Sequence, residues 1–394
     1  MKKVNKNTDT ADQLTFDNQK QAEPQSNIMQ PLQFDFLKQA DFKKFQQTKL
    51  FEKLQDNVKT IAIYKGGGGL GDLVVAASFF KTFKQAFPHA QVKYMGVIYP
   101  RFQKIFDSID SIDGYIDYER PDKGRRMKQY WQFRKTQAQG IDLLIDTQRR
   151  FETSFWLRML GTKYMLSASP LLSNWNMPWL NYKKMHILEQ LFTLPARLGM
   201  DMPKNFAADL NIDSQYMNNA AKMLGGKKGK IAALMPSCGM EFKNWLPEYF
   251  AKIGDLFANN GYTIIILGSP KELELFKSIA RQMKHQPVIP AEIDLEFSQE
   301  LMNDAAILKQ SSIAVGNDSG GMHLASCLGV LSATIFGPTT PRKFAPIGPR
   351  NIVFYKPLAC SPCRFKCKQQ IFKQCLNSIT PREVYAACMK NMEG

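Results

Sequence analysis

The stretch Val315-Gly316-Asn317-Asp318-Ser319-Gly320-Gly321-Met322-His323 joins the end of a predicted strand to the start of a predicted helix. The apolar, β-branched run 312–315 stops at a carboxylate, and small residues then lead into the apolar helical pattern of 322–328. This order places free backbone N–H groups, Asp318 and His323 around one point. Free N–H groups at the start of a helix attract phosphate, and carboxylates and imidazoles hold hydroxyl groups. The stretch therefore indicates a strand–turn–helix unit that binds a nucleotide sugar.

Strand and helix patterns alternate along the chain from residue 61 onward. The predicted strands are 61–64, 92–97, 141–146, 231–235, 262–267, 312–315 and 333–336. The predicted helices are 73–87, 185–198, 246–259, 271–283, 298–310 and 322–328. Such alternation implies parallel βαβ units, and the turn-rich segment 201–213 divides them into two halves. We therefore predict an α/β protein of two lobes, with ligands held beyond the carboxyl ends of the strands in the cleft between them.

Length and composition agree with a folded protein of more than one domain. The chain has 394 residues, 44% hydrophobic and 22% charged, which is more than one hydrophobic core usually organises. The predicted divisions are a polar, partly helical or disordered extension at 1–57, lobes at 58–205 and 206–350, and a cysteine-containing tail with a terminal helix at 351–394.

The charge is strongly basic, with a formal net charge of +17 and an isoelectric point near 9.4. Such an excess favours an anionic membrane surface, nucleic acid or a phosphorylated substrate as partner, and a basic surface that only aids solubility is the alternative. No apolar run approaches the ~20 residues of a membrane-spanning helix. The absence of an apolar segment after Lys2 and Lys3 and the seven cysteines favour a reduced, cytoplasmic protein.

A glycine-rich turn at 66–72 follows the strand 61–64 and ends on Asp72. It is not a P-loop, because no Gly-Lys-Ser/Thr closes it, and it fits the dinucleotide fingerprint poorly. Taken alone, the motif favours a flexible strand-to-helix turn with Asp72 as the helix N-cap.

Two further motifs lie in the second half. The loop 235–245 carries Lys243, which could balance the charge of a diphosphate or could be a solvated surface lysine. His323 could be packed in a core, as a single helical histidine usually is. Its place one turn after Gly320-Gly321 favours a role beside Asp318.

A basic set with interleaved aromatic residues lies in the first half. Its members are Arg125, Arg126, Lys128, Arg134, Lys135, Arg149, Arg150 and Arg158, with Tyr130, Trp131 and Phe133 among them. The set is either a solvated helix face or a surface for phosphorylated lipid headgroups. Nucleic acid is a third option, although no recognised nucleic-acid module accompanies the set.

Three of these motifs occur in the same order in the bacterial heptosyltransferase family, glycosyltransferase family 9, which the chain resembles from residue 61 to its C-terminus. Gly71-Asp72 matches the family's Gly-Asp after the first strand, and Lys243-Asn244-Trp245 matches its Lys-x-Trp. The stretch 318–323 matches its Asp-Ser/Thr-Gly-x-x-His and continues into Phe336-Gly337-Pro338-Thr339.

The resemblance implies a GT-B fold, in which two Rossmann-like lobes with parallel sheets face a central cleft. It implies an inverting, metal-independent and cofactor-free transfer of heptose from ADP-heptose to the inner core of lipopolysaccharide or lipooligosaccharide. Carried onto this sequence, it makes Asp72 the general base and Lys243 the ligand of the diphosphate. The other substrate-binding residues that it implies are Gly71, Cys238, Gly239, Glu272, Asp318, Ser319, Gly320 and His323.

A fourth likeness is the tail with Cys360, Cys363, Cys367 and Cys375, since many members carry cysteines there. Four thiolates at short spacing can bind zinc, but these spacings lack the paired CxxC knuckles of a zinc ribbon. The spacing favours packed thiols and leaves a metal site open.

The expected partners are the ADP-heptose donor, a lipid-linked oligosaccharide acceptor and the anionic inner face of the inner membrane, with no nucleic acid. One alternative is heptose transfer to a protein acceptor such as an adhesin. Another is a catalytically silent protein that binds a nucleotide sugar.

Overall fold

Two parallel five-stranded sheets organise the chain. The computed structural model describes residues 46, 48–66, 68–121, 127–169, 172–173, 182, 185–203, 206–226, 229–348, 350–363, 367 and 372–393. The first sheet contains β1 (Thr60–Tyr64), β2 (Gln91–Gly96), β3 (Gly114–Asp117), β4 (Leu143–Asp146) and β5 (Tyr164–Ser167). The second contains β6 (Ile231–Met235), β7 (Thr263–Ile266), β8 (Ile313–Asn317), β9 (Leu331–Phe336) and β10 (Asn351–Tyr355).

Helices cover both sheets, as the connections between parallel strands require. Those before and within the first lobe are α1 (Thr48–Asn57), α2 (Leu70–Ala86), α3 (Gln103–Asp107), α4 (Met127–Lys135), α5 (Phe151–Arg158) and α6 (Ile187–Arg197). Those that follow are α7 (Ser214–Met223), α8 (Pro247–Ala258), α9 (Leu273–Ala280), α10 (Pro290–Ile293), α11 (Leu295–Gln299), α12 (Leu301–Gln310), α13 (Gly320–Cys327), α14 (Pro341–Phe344), α15 (Gln374–Asn377) and α16 (Pro381–Glu393). None of these helices has the length and apolar content that crossing a bilayer requires.

The strand orders are β3-β2-β1-β4-β5 and β10-β9-β8-β6-β7, and every pairing between neighbouring strands is parallel. Continuous apolar runs make the central strands, and β6, β8 and β9 are buried along their whole length. Because all strands of a sheet point the same way, the loops after their carboxyl ends gather at one edge. The predicted α/β class with two Rossmann-like lobes is confirmed.

The two lobes pack directly on each other through α2 and α13. Val74 of α2 and Ile105 of α3 belong to the same buried cluster as Met322, Leu324 and other residues of the second lobe. His186, which precedes α6, also contacts the second lobe, with Nε2 3.0 Å from the Ala345 carbonyl oxygen. The start of α2 and the start of α13 therefore lie against each other.

Several predicted elements change their bounds. The helix predicted at 73–87 begins at Leu70, so the N-cap is Gly69 rather than Asp72. The helix predicted at 298–310 is two helices, α11 and α12, that meet at Glu300. Because β10 is the edge strand of the second sheet, that sheet extends past residue 350, where the predicted second lobe ends.

The N-terminal extension is described only from Gln46 onward, without residue 47, so most of the segment predicted at 1–57 lies outside the described residues. Its visible part is α1, where Leu54 is fully buried and the Phe51 ring lies 5.5 Å from the Phe87 ring. The described part of the extension is therefore helical and packs on the first lobe. The domain boundaries stay predictions.

Candidate active site

The loops after β1, β6 and β8 meet where the two lobes touch. Gly71 and Gly320 mark the point of closest approach: a methyl group on Gly71 would lie 3.4 Å from Gly320 Cα and 3.0 Å from His323 Cδ2. A methyl group on Gly320 would lie 2.9 Å from the Gly71 backbone nitrogen. Because no side chain fits between these backbones, glycine at both positions lets α2 and α13 begin side by side.

Asp72 lies in the first turn of α2, at its third helical position. Its Oδ2 accepts a hydrogen bond of 3.2 Å from the Gly69 N–H, and Lys65 Nζ lies 3.6 Å from its Oδ1. A carboxylate in the first turn satisfies a free N–H and interacts favourably with the helix dipole. The Asp72 side chain is 40% exposed, so the fold orients it and leaves it open to solvent.

Lys243 belongs to the short turn Glu241–Lys243, before α8. Lys243 Nζ lies 2.7 Å from Asp318 Oδ2, and the Thr339 hydroxyl donates to the same oxygen at 2.7 Å. The side chains of Lys243 and Asp318 are 12% and 10% exposed, respectively. Lys243, Asp318 and Thr339 thus join the loop before α8, the turn before α13 and the loop after β9. The lysine lies beside the start of α13.

An asparagine that the sequence did not single out holds this loop in place. The Asn317 side chain is fully buried; its Oδ1 accepts from the Trp245 N–H and its Nδ2 donates to the Pro236 carbonyl, both at 2.7 Å. Trp245 is buried as well and donates its indole N–H to the Ile379 carbonyl at 3.0 Å. These bonds fix the loop that carries Lys243.

Cys238 and Gly239 lie in the turn before Lys243. Gly239 has φ of 55°, a left-handed conformation that favours glycine. Burial raises the pKa of the Cys238 thiol, with a smaller opposing effect of Lys243. The thiol lies 3.0 Å from Asn244 Oδ1. Cys238 thus presents a weak, protonated donor where a hydroxyl would be a stronger one.

Glu272 ends a short turn after β7 and accepts a 2.5 Å hydrogen bond from the Ser237 hydroxyl. Ser319 is the N-cap of α13. The first N–H groups of α13 come from Gly320 and the residues after it, and such groups have no partner within their own helix. The start of α13 therefore offers donors to an anion, next to Lys243.

His323 is both packed and part of the site. Its side chain is buried, and burial lowers its pKa below the ordinary value; Lys243 lowers it further, while Asp318 and Asp72 oppose the shift. The imidazole is consequently neutral at pH 7. A methyl group on Gly71, the neighbour of Asp72, would lie 3.0 Å from His323 Cδ2, so the imidazole lies at the contact between the starts of α2 and α13.

A cavity of about 530 Å³ opens at the carboxyl ends of the strands of the first sheet. Its lining is Tyr64, Gly66, Gly96, Val97, Tyr99, Tyr118, Glu119, Arg120, Gln148, Arg150 and Thr153. The glycine loop reaches it, because a methyl group on Gly66 would lie 3.3 Å from the Gln148 side chain. The same loop thus borders this cavity at Gly66 and carries Asp72 on the next helix.

Asp146, the buried last residue of β4, holds part of the cavity wall in place. Its carboxylate accepts hydrogen bonds from the Ser154 and Ser167 hydroxyls at 2.5 and 2.8 Å and from the Gln148 N–H at 2.8 Å. Burial raises its pKa to about 6, although these hydrogen bonds oppose the shift. Asp146 therefore ties β4 and β5 to α5 and to the loop that carries Gln148.

The thiols of the C-terminal tail influence one another. Burial raises the pKa of Cys375, and Cys363, Cys360 and Cys367 raise it further. Among the described residues, which include all four of these cysteines, no three His, Cys, Asp or Glu side chains form a group suited to a metal ion. The tail is tied to the active-site loop by Lys373, whose Nζ donates to the Glu241 carbonyl at 2.8 Å.

The structure brings most of the expected site residues to one region. Gly71, Asp72, Lys243, Asp318, Gly320 and His323 are linked by the contacts above, and Cys238, Gly239 and Ser319 adjoin them in sequence. Glu272 joins through Ser237. Of the basic set, Arg125 and Arg126 lie outside the described residues.

Asn317, Thr339 and most of the cavity lining were not expected. The cavity residues share a position that the sequence could have indicated: each of them other than Thr153 ends a strand of the first sheet or follows its carboxyl end. Tyr118 and Arg120 were missed because they follow β3, which was itself not predicted.

The amino-acid sequence is similar to those of known proteins over most of its length. The model of glycosyltransferase family 9 (heptosyltransferase) matches residues 131–373. The chain is 27% identical to lipooligosaccharide heptosyltransferase 2 of Campylobacter jejuni serotype O:2 over 325 residues, 80% of this chain and 93% of that protein. It is 22% identical to the Haemophilus ducreyi protein of the same name over 315 residues, 73% of this chain and 86% of that protein.

Solved structures share the fold. A glycosyl transferase family 9 protein from Veillonella parvula superimposes with a TM-score of 0.68 at 20% identity, covering 85% of this chain and 97% of that one. The ADP-heptose LPS heptosyltransferase II of Escherichia coli superimposes with a TM-score of 0.65 at 18% identity, covering 85% of this chain and 100% of that one.

Proposed function

The chain belongs to glycosyltransferase family 9, the heptosyltransferases, and from this membership we propose that it moves heptose from ADP-heptose to the inner core of lipopolysaccharide or lipooligosaccharide. Relatives named lipooligosaccharide heptosyltransferase 2 match 80% and 73% of the chain. The observation that carries the proposal is the contact of Gly71 with Gly320, because it sets a carboxylate of one lobe beside a helix start and a lysine of the other.

The second lobe supplies the donor site in this proposal. The diphosphate binds at the start of α13, where N–H groups and Lys243 offer positive charge. Lys243 Nζ lies 2.7 Å from Asp318 Oδ2, so a diphosphate must share or displace that partner. Asp318, Glu272 and neutral His323 then serve as hydrogen-bonding partners of the sugars.

The first lobe supplies the acceptor site. The cavity of about 530 Å³ contains Arg120 and Arg150 together with Gln148, side chains suited to an anionic, hydroxyl-rich oligosaccharide. Tyr99, which is 48% exposed, adds an aromatic ring against which a sugar can pack. Asp72 lies at the end of the glycine loop that borders this cavity.

Asp72 acts as the general base. The acceptor hydroxyl becomes nucleophilic as its proton moves to the carboxylate, an effect that contributes typically ~10²–10⁴-fold in rate. The hydroxyl oxygen bonds to the anomeric carbon as the bond to the diphosphate breaks. A single displacement of this kind inverts the anomeric centre, because the hydroxyl oxygen attacks from the side opposite the departing diphosphate.

The departing diphosphate gains charge in the transition state. Fixed N–H dipoles and Lys243 stabilise that charge without reorganising, so we propose that no metal ion takes part. Turnover in excess EDTA tests this part of the proposal. A requirement for added divalent cation would contradict it.

The decisive experiment is Asp72→Asn, assayed with ADP-heptose and a truncated core acceptor, with products identified by mass. Asn keeps the shape and loses the basicity. We expect turnover to fall by at least about 10²-fold, while ADP binding, measured by calorimetry, stays the same. The matched control is Asp107→Asn, an exposed aspartate on α3 away from the site. Unchanged turnover in Asp72→Asn would remove Asp72 as the base.

A further inference from the structure

An exposed aromatic surface covers α4 and α5 of the first lobe. We call this surface the α4–α5 face; its apolar members Trp131, Phe151, Phe155 and Met159 are 39%, 56%, 40% and 39% exposed. Phe151 and Phe155 of α5 and its C-cap residue Met159 recur at intervals of four residues and therefore share one side of the helix. Single exposed apolar residues are ordinary, whereas a cluster marks an interaction site.

The exposed rings of this face are connected to one another through the half-buried Trp156 and the buried Tyr130. Phe151 stacks on Phe155 at 6.5 Å, and Phe155 meets Trp156 edge-on at 5.5 Å. Trp156 meets Tyr130 at 5.2 Å, and Tyr130 meets Trp131 at 5.4 Å. The connected rings therefore extend from the first residue of α5 to the middle of α4.

Basic side chains are frequent in the same segment of the chain, 127–163. The exposed ones are Lys128, Lys135, Arg149, Arg150, Arg158 and Lys163, and Arg134 lies 5.2 Å above the Trp131 ring. The acidic residues of 127–163 are Asp142, Asp146 and Glu152. Asp146 is buried, Asp142 accepts from the backbone N–H groups of Lys59 and Thr60, and Glu152 pairs with Arg120. The segment thus combines exposed apolar rings with an excess of cationic side chains.

The face adjoins the acceptor-side cavity. Arg150 and Thr153, at the start of α5, line the cavity, while Phe151 and Phe155 of the same helix point to solvent. A partner that binds the α4–α5 face therefore lies next to the cavity mouth.

We propose that the α4–α5 face docks on the surface of an anionic phospholipid bilayer. Aromatic side chains favour the interface between headgroups and acyl chains, and Lys and Arg favour anionic headgroups. The charge of the face is complementary to such a surface and opposed to a second copy of the same basic face. The inference rests on the proposed function, since docking would hold the cavity beside lipid-linked acceptors.

The test uses the full-length protein and sedimentation with vesicles of phosphatidylglycerol and phosphatidylcholine. We expect binding to these vesicles, none to pure phosphatidylcholine, and weakening with salt, because the screening length shortens to about 8 Å at physiological ionic strength. The variant Phe151→Ser/Phe155→Ser should lower the partition coefficient by about tenfold or more, since two rings leave the interface.

The matched control is Ile293→Ser/Leu295→Ser, an equally exposed apolar pair of the second lobe, which should bind as the unaltered protein does. A second variant, Arg158→Gln/Lys163→Gln, tests the cationic part, with Lys252→Gln/Lys284→Gln as its control. Thermal unfolding shows whether each variant folds. If Phe151→Ser/Phe155→Ser does not fold, the charge variant decides alone.

Equal vesicle binding by the face variants and their controls would overturn the proposal. So would light scattering that shows a dimer which the face substitutions dissociate, because the face would then bind a second copy. Turnover of a water-soluble truncated acceptor separates the two proposals. If the unaltered protein does not turn over this acceptor, the proposed function is refuted. If it turns over the acceptor but does not bind the vesicles, only the docking surface is refuted.

Discussion

Lys243 is the residue that tests donor binding most directly. Its replacement leaves the Asp318 carboxylate, which is 10% exposed, with the Thr339 hydroxyl as a donor, so we also expect a loss of stability, which thermal unfolding measures separately from ADP binding. A bound diphosphate loses a charged partner worth roughly 1.5–3 kcal/mol. Lys243→Met keeps the aliphatic stem and should weaken ADP binding by about 10- to 100-fold in calorimetry. The exposed lysine Lys284 gives the control Lys284→Met, and equal ADP affinity in both variants would argue against the diphosphate role.

His186 makes stability depend on pH. Burial lowers its pKa from 6.5 to about 4, and its Nδ1 accepts from the Leu188 N–H while its Nε2 contacts the Ala345 carbonyl. The unfolded chain therefore binds a proton first as the pH falls. The contribution of His186 is complete above pH 6.5, is lost between pH 6.5 and 4, and amounts to about 3 kcal/mol.

The measurement is the free energy of unfolding of the unaltered protein and of His186→Gln at pH 7 and pH 4.5. Taking the difference between the two proteins at each pH removes the opposite effect of Asp146, whose raised pKa favours the folded state as the pH falls. The difference should shrink at pH 4.5. The control is His89→Gln at an exposed histidine, for which the difference in the free energy of unfolding should be the same at both pH values. The same result for His186→Gln would exclude this account.

At the scale of single residues, the sequence predicted the side chains whose chemistry is local. Asp318 and His323 lie five residues apart across one strand–helix turn, so their proximity follows from spacing. Asn317 was missed, because its role depends on two loop groups, Trp245 N–H and Pro236 C=O, that are distant in sequence. Asp72 was expected at a helix N-cap and lies in the first turn instead, because glycine itself serves as the cap.

At the scale of elements, the crossing of α2 and α13 depends on the missing side chains of Gly71 and Gly320. Gly320→Ala would place a methyl group 2.9 Å from the Gly71 nitrogen and 3.0 Å from Leu70 Cβ. Overpacking of this kind costs typically about 1–3 kcal/mol. We expect a lower free energy of unfolding, or lobes held apart with lost turnover, which small-angle scattering would detect.

Gly140→Ala is the matched control, because a methyl group there meets no atom within 4 Å in the part of the chain that the structure describes. An unchanged unfolding curve together with full turnover in Gly320→Ala would mean that the contact tolerates a side chain.

The sequence predicted every central strand of the two sheets and missed β3, β5 and β10, which lie at sheet edges. β6 was found with its full bounds, because five buried residues form an uninterrupted apolar run. β3 alternates half-buried and exposed residues over four positions, and β5 and β10 have partly exposed ends at the sheet edges. Edge strands depend on pairing with one neighbouring strand, and this pairing cannot be deduced from the residues of the edge strand alone.

At the scale of the whole molecule, the two-lobed arrangement followed from the restart of strand–helix alternation after residue 213. The direct contact between α2 and α13 did not, since it depends on where two glycines fall when both lobes are complete. The basic set between residues 125 and 158 and its interleaved aromatic residues were predicted from the sequence as well as the total charge of +17. The side-by-side packing of α4 and α5 was not predicted, because it depends on how two separate helices meet in the fold.

The strand orders have a consequence for synthesis on the ribosome. In the first sheet, β2 pairs with β1, β3 with β2, β4 with β1 and β5 with β4. In the second, β7 and β8 pair with β6, β9 with β8 and β10 with β9. Each newly made strand therefore joins the border of a sheet that already exists, and none has to be inserted between two earlier ones. The nascent chain can complete its first lobe before the second leaves the exit tunnel.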